Sequence, residues 1–156
     1  MERKLNEVLS VLMDLEKNFS VLYENISQID GNYDPSIKRI AKILAGVELK
    51  HYENYKKLID ELTAEEDIDI SEELFDKSRK LLRDFKSSMG FKSLRGSGDL
   101  LIMAEKYENH NAEMLEKIVE FLESAKEKNN DRILKMLEEL IENEKGHAKS
   151  LRSFIK

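Results

Sequence analysis

Leu140-Ile141-Glu142-Asn143-Glu144-Lys145-Gly146-His147-Ala148-Lys149-Ser150-Leu151 decides the fold. Leu140, Glu144, His147 and Leu151 follow one another at steps of four, three and four residues, which returns each side chain to the same face of an α-helix. The outer two are apolar, as a buried stripe requires. The inner two are a carboxylate and an imidazole, and a buried carboxylate is costly unless something pairs with it. The same steps recur upstream in Leu44, Glu48, His51 and Tyr55. A lone Glu-x-x-His is common in a chain with 37% charged residues. Two of them, each interrupting the apolar stripe of a different helix, are a specific signal.

Working outward, four long segments carry apolar residues at helical spacing. The first runs from about Lys4 to Ser27 through Leu5, Leu9, Leu12, Phe19, Tyr23 and Ile26. The second starts at Asp34-Pro35, with Asp as N-cap and Pro at the first helical position, and runs to about Leu62. It carries Ile37, Ile40, Ala41, Leu44, Tyr55 and Ile59. The third long helix runs from about Asp99 into the 120s through Leu101, Ala112, Leu115, Val119 and Leu122. The fourth runs from about Asp131 to Ile155 through Ile133, Leu137, Leu140, Leu151 and Phe154. Short loops join the first to the second and the third to the fourth, which makes antiparallel neighbours. The connection from about Thr63 to Gly98 is long enough to return to the far end of the bundle. Ser71 caps a shorter helix inside it, through Leu74, Leu81, Leu82 and Phe85. The expected fold is therefore all-α: one ferritin-like four-helix bundle over residues 1–156, with a crossover helix between the second and third long helices.

Composition narrows the function classes. The 156 residues suit one domain, and one proline with six glycines argues against a turn-rich β protein. The absence of cysteine excludes disulfides, thiolate metal sites and a nucleophilic thiol. A net charge of −6 disfavours sequence-independent nucleic-acid binding. With no long apolar run and no secretory leader in Met1-Glu2-Arg3-Lys4, the expectation is a cytoplasmic protein that does not cross a membrane.

The other two stripes are interrupted as well. Glu16 sits between Leu12 and Phe19, and Glu105 and Glu108 sit between Leu101 and Ala112. One face of the bundle thus carries five carboxylates and two imidazoles, with no Lys or Arg at these positions. Metal ions are the simplest compensation: two divalent ions reduce the −5 of the carboxylates to −1. A Glu from each of two helices and a Glu-x-x-His from each of the other two is the carboxylate-bridged dinuclear design. Oxygen and imidazole ligands suit iron, with manganese the alternative.

These residues resemble the rubrerythrin family of ferritin-like di-iron proteins. Glu16 followed seven residues later by Tyr23, the motifs Glu48-Leu49-Lys50-His51 and Glu144-Lys145-Gly146-His147, and Glu105-Lys106-Tyr107-Glu108 on the third long helix carry the likeness. It covers most of the four long helices and not the crossover. It implies reduction of hydrogen peroxide to water at two iron ions, with dioxygen a competing oxidant, in a homodimer served by a separate rubredoxin-like electron donor. By the same resemblance Glu48 and Glu144 bridge the metals, and Glu16 binds the first iron. Glu105 and His147 bind the second. Glu108 and His51 exchange on the first between oxidised and reduced states. Leu49 stands where bacterioferritins place their haem-binding methionine, so haem is not expected. With no cysteine, the chain is at most the di-iron half of a rubrerythrin that carries a rubredoxin module.

One mismatch stands: Glu105 to Glu144 spans 39 positions, against 32 from Glu16 to Glu48. Extra residues are expected in or beside the turn within Glu123 to Asp131. Glu113 and Glu116 read as a solvated face and His110 as a surface histidine. Tyr52 and Tyr55 read as packing, and Tyr23 as packing or as a hydrogen-bond partner of the ligands. Gly96-Ser97-Gly98 reads as a helix-entry loop. The basic cluster Lys77, Arg79, Lys80, Arg83, Lys86, Lys92 and Arg95 reads as a solvated face, or as a dock for an acidic electron donor. Competing functions are a ferritin-like ferroxidase feeding a storage cage, a manganese catalase-like site and a metal-free adaptor.

Overall fold

The structure is a computed structural model that describes residues 3–28, 35–64, 68–89, 97–124 and 131–153. The elements are β1 (Arg3–Lys4), α1 (Leu5–Ser27), α2 (Pro35–Ala64), β2 (Asp69–Ile70), α3 (Glu72–Met89), α4 (Ser97–Ser124) and α5 (Asp131–Arg152). The four long helices and the crossover helix lie where the apolar spacing puts them. Small differences fall at the ends: α2 runs on to Ala64, α4 begins at Ser97, and α5 ends at Arg152. The Asp34 cap, Lys92, Arg95, Gly96, Phe154, Ile155 and the turn at 125–130 lie outside the described residues.

Two helical hairpins make the bundle. α1 packs along α2 and α4 along α5, with lighter contact between α1 and α4 and between α2 and α5. The α1 stripe of Leu5, Leu9, Leu12, Phe19, Tyr23 and Ile26 is wholly buried, each such apolar side chain contributing about 1.5–3 kcal/mol. Ser20 on α1 donates to the Ala45 carbonyl on α2 at 3.0 Å, tying the first hairpin near its middle.

α3 crosses between the hairpins and packs on α1 and α4. Ser71 caps it, its Oγ accepting from the Leu74 amide at 3.2 Å. Phe85 enters the core from α3, edge-on to Phe19 of α1 at 4.8 Å and to Tyr107 of α4 at 4.9 Å. The opposite face of α3, with Lys77, Arg79, Lys80, Arg83 and Lys86, is exposed. The small ribbon β1–β2 has no sequence signature, because two-residue strands show no periodicity. It pairs Arg3 with Ile70 and Lys4 with Asp69. Lys4 gives α1 no side-chain cap; instead the Leu5 amide donates to the Ile68 carbonyl at 2.7 Å, which satisfies one of the orphan donors of the first turn. No helix among the described residues is long and apolar enough to cross a membrane.

Candidate metal centre

The two Glu-x-x-His motifs face each other between α2 and α5. Each histidine leans toward the carboxylate of the opposite motif: His51 Nδ1 lies 3.0 Å from Glu144 Oε1, and His147 Nδ1 lies 2.8 Å from Glu48 Oε1. The imidazoles stack at 5.4 Å with planes 18° apart. One ligand atom from each of Glu48, His51, Glu144 and His147 falls within 4.8 Å of the others. The remaining pair of helices brings one carboxylate to each end. Glu16 Oε2 from α1 is 3.7 Å from His51 Nδ1, and Glu108 Oε2 from α4 is 3.7 Å from His147 Nδ1.

Each of these two carboxylates is held by the other's helix. Tyr23 on α1 donates its hydroxyl proton to Glu108 Oε1 in a short hydrogen bond. Asn111 on α4 donates from Nδ2 to Glu16 Oε1 at 3.0 Å. Glu16, Glu48, Glu108, Glu144 and Asn111 are completely buried, and His51 nearly so.

The electrostatics are those of crowded acids. Burial pushes Glu48 and Glu144 well above the usual carboxylate range, and the neighbouring carboxylates push them further. Burial also acts to raise Glu108. The close approach of Glu144 and His147, the His147 charge and the Tyr23 hydroxyl outweigh it, so Glu108 lies below its usual value. The acids therefore divide: Glu108 is shifted toward its ionised form, Glu48 and Glu144 toward their protonated forms. Burial and the same carboxylates raise the phenols of Tyr23 and Tyr55, which stay neutral donors.

Many buried polar atoms in this cluster have no hydrogen-bond partner. They include both oxygens of Glu48 and of Glu144, Glu16 Oε2, Glu108 Oε2, and the Nδ1 atoms of His51 and His147. Orphaned buried acceptors converging on one point are expensive. Carboxylate oxygens and imidazole nitrogens are hard and borderline donors, a set that fits two divalent first-row ions. With all four ionised, the buried carboxylates carry −4, which two divalent ions neutralise.

Two of the expected ligands stand elsewhere than expected. Glu105 lies at the rim rather than among the buried acids, 21% exposed, with Arg152 Nε 3.9 Å away. Ala104 and Met103 take the buried positions at that level of α4. The inward line runs Leu101, Ala104, Glu108, Asn111, Leu115, Ile118 and Leu122, so the pair facing the site is Glu108 with Asn111, one turn later than expected. Glu108 accordingly stands at the His147 end, where Glu105 was expected, and not at the His51 end. Asn111 was missed because the step from Glu108 was read as four residues, to Ala112. The spacing held a clue: Asn111 to Glu144 is 33 positions, close to the 32 from Glu16 to Glu48.

The other expectations can be placed directly. Tyr55 is buried, and it borders the site with an unpartnered hydroxyl, whereas Tyr52 is half-buried. His110 lies off the cluster against the Tyr107 ring. Glu113 is exposed, and Glu116 pairs with Lys145 at 2.6 Å.

A family model described as Rubrerythrin matches residues 7–155, nearly the whole chain. No curated protein and no solved structure matches.

Proposed function

The chain belongs to the rubrerythrin family, and on that premise we propose that it is a non-haem di-iron oxidoreductase that reduces hydrogen peroxide to water. The observation that carries the reading is the buried convergence of Glu16, Glu48, His51, Glu108, Glu144 and His147 with their inner atoms unpartnered. Glu48 and Glu144, whose oxygens lie within 4.8 Å of both histidines, would be shared between the two ions. Glu16 with His51 would hold one ion, and Glu108 with His147 the other. Two ferrous ions supply the two electrons that, with two protons, convert one peroxide into two waters.

The protein's own part is to hold charge and protons. Tyr23 fixes Glu108 and Asn111 fixes Glu16, so neither carboxylate is free to swing. Burial and neighbouring carboxylates raise Glu48 and Glu144, so metal binding there competes with protons. Phe19, Phe85 and Tyr107 form an aromatic wall where α1, α3 and α4 meet. In this reading electrons return from a separate rubredoxin-like donor, and the protein works in the cytoplasm as a homodimer. Manganese is the alternative metal, since the ligand types separate it poorly from iron.

One observation favours a second reading. With Asn111 in place of a further carboxylate, four acids and two histidines remain, a ligand set that also suits a ferritin-like ferroxidase. Stopped-flow oxidation of anaerobically loaded ferrous protein separates the two. The proposal expects peroxide to oxidise the protein faster than dioxygen does, at one peroxide per two irons. Rapid oxidation by dioxygen with peroxide inert, in a protein that elutes as a multi-subunit cage, would replace it with the ferroxidase reading.

A further inference from the structure

Asn111 is the one completely buried amide beside the cluster among the described residues, and half of it is unaccounted for. Its Nδ2 donates to Glu16 Oε1 at 3.0 Å. The carboxylate fixes that orientation, because the flipped amide would set oxygen against oxygen. Asn111 Oδ1 is then left buried with no donor. Leu115, one turn on, shows that an apolar side chain fits this line of α4; at 111 it would avoid the bare oxygen but strip Glu16 Oε1 of its donor. A buried amide whose nitrogen serves a metal-facing carboxylate and whose oxygen is bare fits a neighbour that is a cation or its bound water.

We infer that Asn111 sets the charge at the Glu16 end of the centre: its amide positions Glu16 and presents a neutral oxygen where an acid would favour the oxidised metal pair. The inference rests on the two-ion reading above. Four carboxylates balance two divalent ions, whereas two trivalent ions leave an excess of +2. An acid at 111 would halve that excess, and attraction across a buried site is strong enough to shift the balance between oxidation states. Asparagine thus holds the site toward the reduced pair. Asn111 is a positioning residue that acts through Glu16.

The test uses the full chain, titrated anaerobically with Fe(II), and two variants. Wild type should bind two ions. Asn111→Leu, which keeps the helix and loses the donor, should bind one ion as wild type does and the other roughly 10–100-fold more weakly, the usual loss when the partner of a ligand is removed. Asn111→Asp loses the same donor but adds a carboxylate beside Glu16, so it should still bind both ions, and its midpoint potential should fall, with the oxidised pair favoured at least about tenfold more than in wild type. Should Asn111→Asp fail to fold, the selective loss of one ion in Asn111→Leu decides the matter. Two ions bound undiminished in Asn111→Leu, or both weakened equally alongside a general loss of stability, would overturn the inference and leave the centre intact. Wild type that binds no pair of ions would overturn the reading of the centre itself.

Discussion

The Tyr23 hydroxyl on α1 donates to Glu108 Oε1 on α4 across 85 positions of sequence. This bond joins the two hairpins at the site and helps to hold the Glu108 pKa below its usual value. Tyr23→Phe keeps the ring against Phe19 and removes only the donor. It is expected to cost about 1.5–3 kcal/mol, the range for a hydrogen bond to a charged group, and to raise the Glu108 pKa. Urea unfolding of metal-free protein checks the first effect. Unchanged stability would mean that the bond contributes nothing net.

Glu105 and Glu108 are one turn apart on α4 and differ sharply in surroundings. Glu105→Ala should leave metal stoichiometry unchanged, because the side chain is at the rim beside Arg152. Glu108→Ala should lose the ion at the His147 end or weaken it by about 10-fold or more. Equilibrium dialysis with Fe(II) or Mn(II) reads both. Loss of an ion in the Glu105 variant would return that residue to the ligand set.

Metal should stabilise the fold strongly. The ions bind the assembled cluster and not the unfolded chain, so a site held at about 100 times its dissociation constant gains roughly 2.7 kcal/mol. Thermal melts with and without anaerobic Fe(II) should differ by several degrees. Coincident melts would argue that the acids are satisfied without metal.

The metal-free protein should lose stability as pH rises. Glu48 and Glu144 are raised in the fold, by burial first and by neighbouring carboxylates second. Their stabilising effect is full below the unfolded glutamate value of about 4.3 and disappears as pH climbs through their raised folded values. Glu108 is lowered and acts in the opposite sense, its contribution lost only as pH falls through its folded value. Two raised acids outweigh one lowered acid, so melting points of metal-free protein should fall upward from about pH 5, apart from the acid unfolding common to most chains. Saturating metal should flatten that slope. A melting point that rises across this range would show that Glu48 and Glu144 do not hold protons.

The stripes of α1, α2 and α5 were legible in sequence because each has one clear register: Glu16, Glu48, His51, Glu144 and His147 all fall on faces whose other members are large and apolar. α4 was harder. Ala104 and Ala112 are small enough to suit either side of a buried line, so apolar spacing alone allowed the register to slip by a turn around Glu108. Asn111 was invisible to a search for charged residues, since it is neutral and its role comes from Glu16 on another helix. The β1–β2 ribbon and the aromatic contacts of Phe85 depend on long-range packing that no local pattern encodes.

The two-hairpin construction has a consequence for how the molecule comes apart. Each hairpin is made of contacts between consecutive helices, while contact from α1 to α4 and from α2 to α5 is sparse. The shared boundary is where the buried acids meet. Without metal, each hairpin retains its own apolar seam while the boundary between them carries the repulsion. Chelation should therefore loosen cooperativity before it melts helix: amide exchange should speed up along the facing sides of α2 and α5 while far-ultraviolet ellipticity barely changes. The metal pair would act as a rivet between two prefabricated halves, and removing it would leave the halves formed and their docking soft.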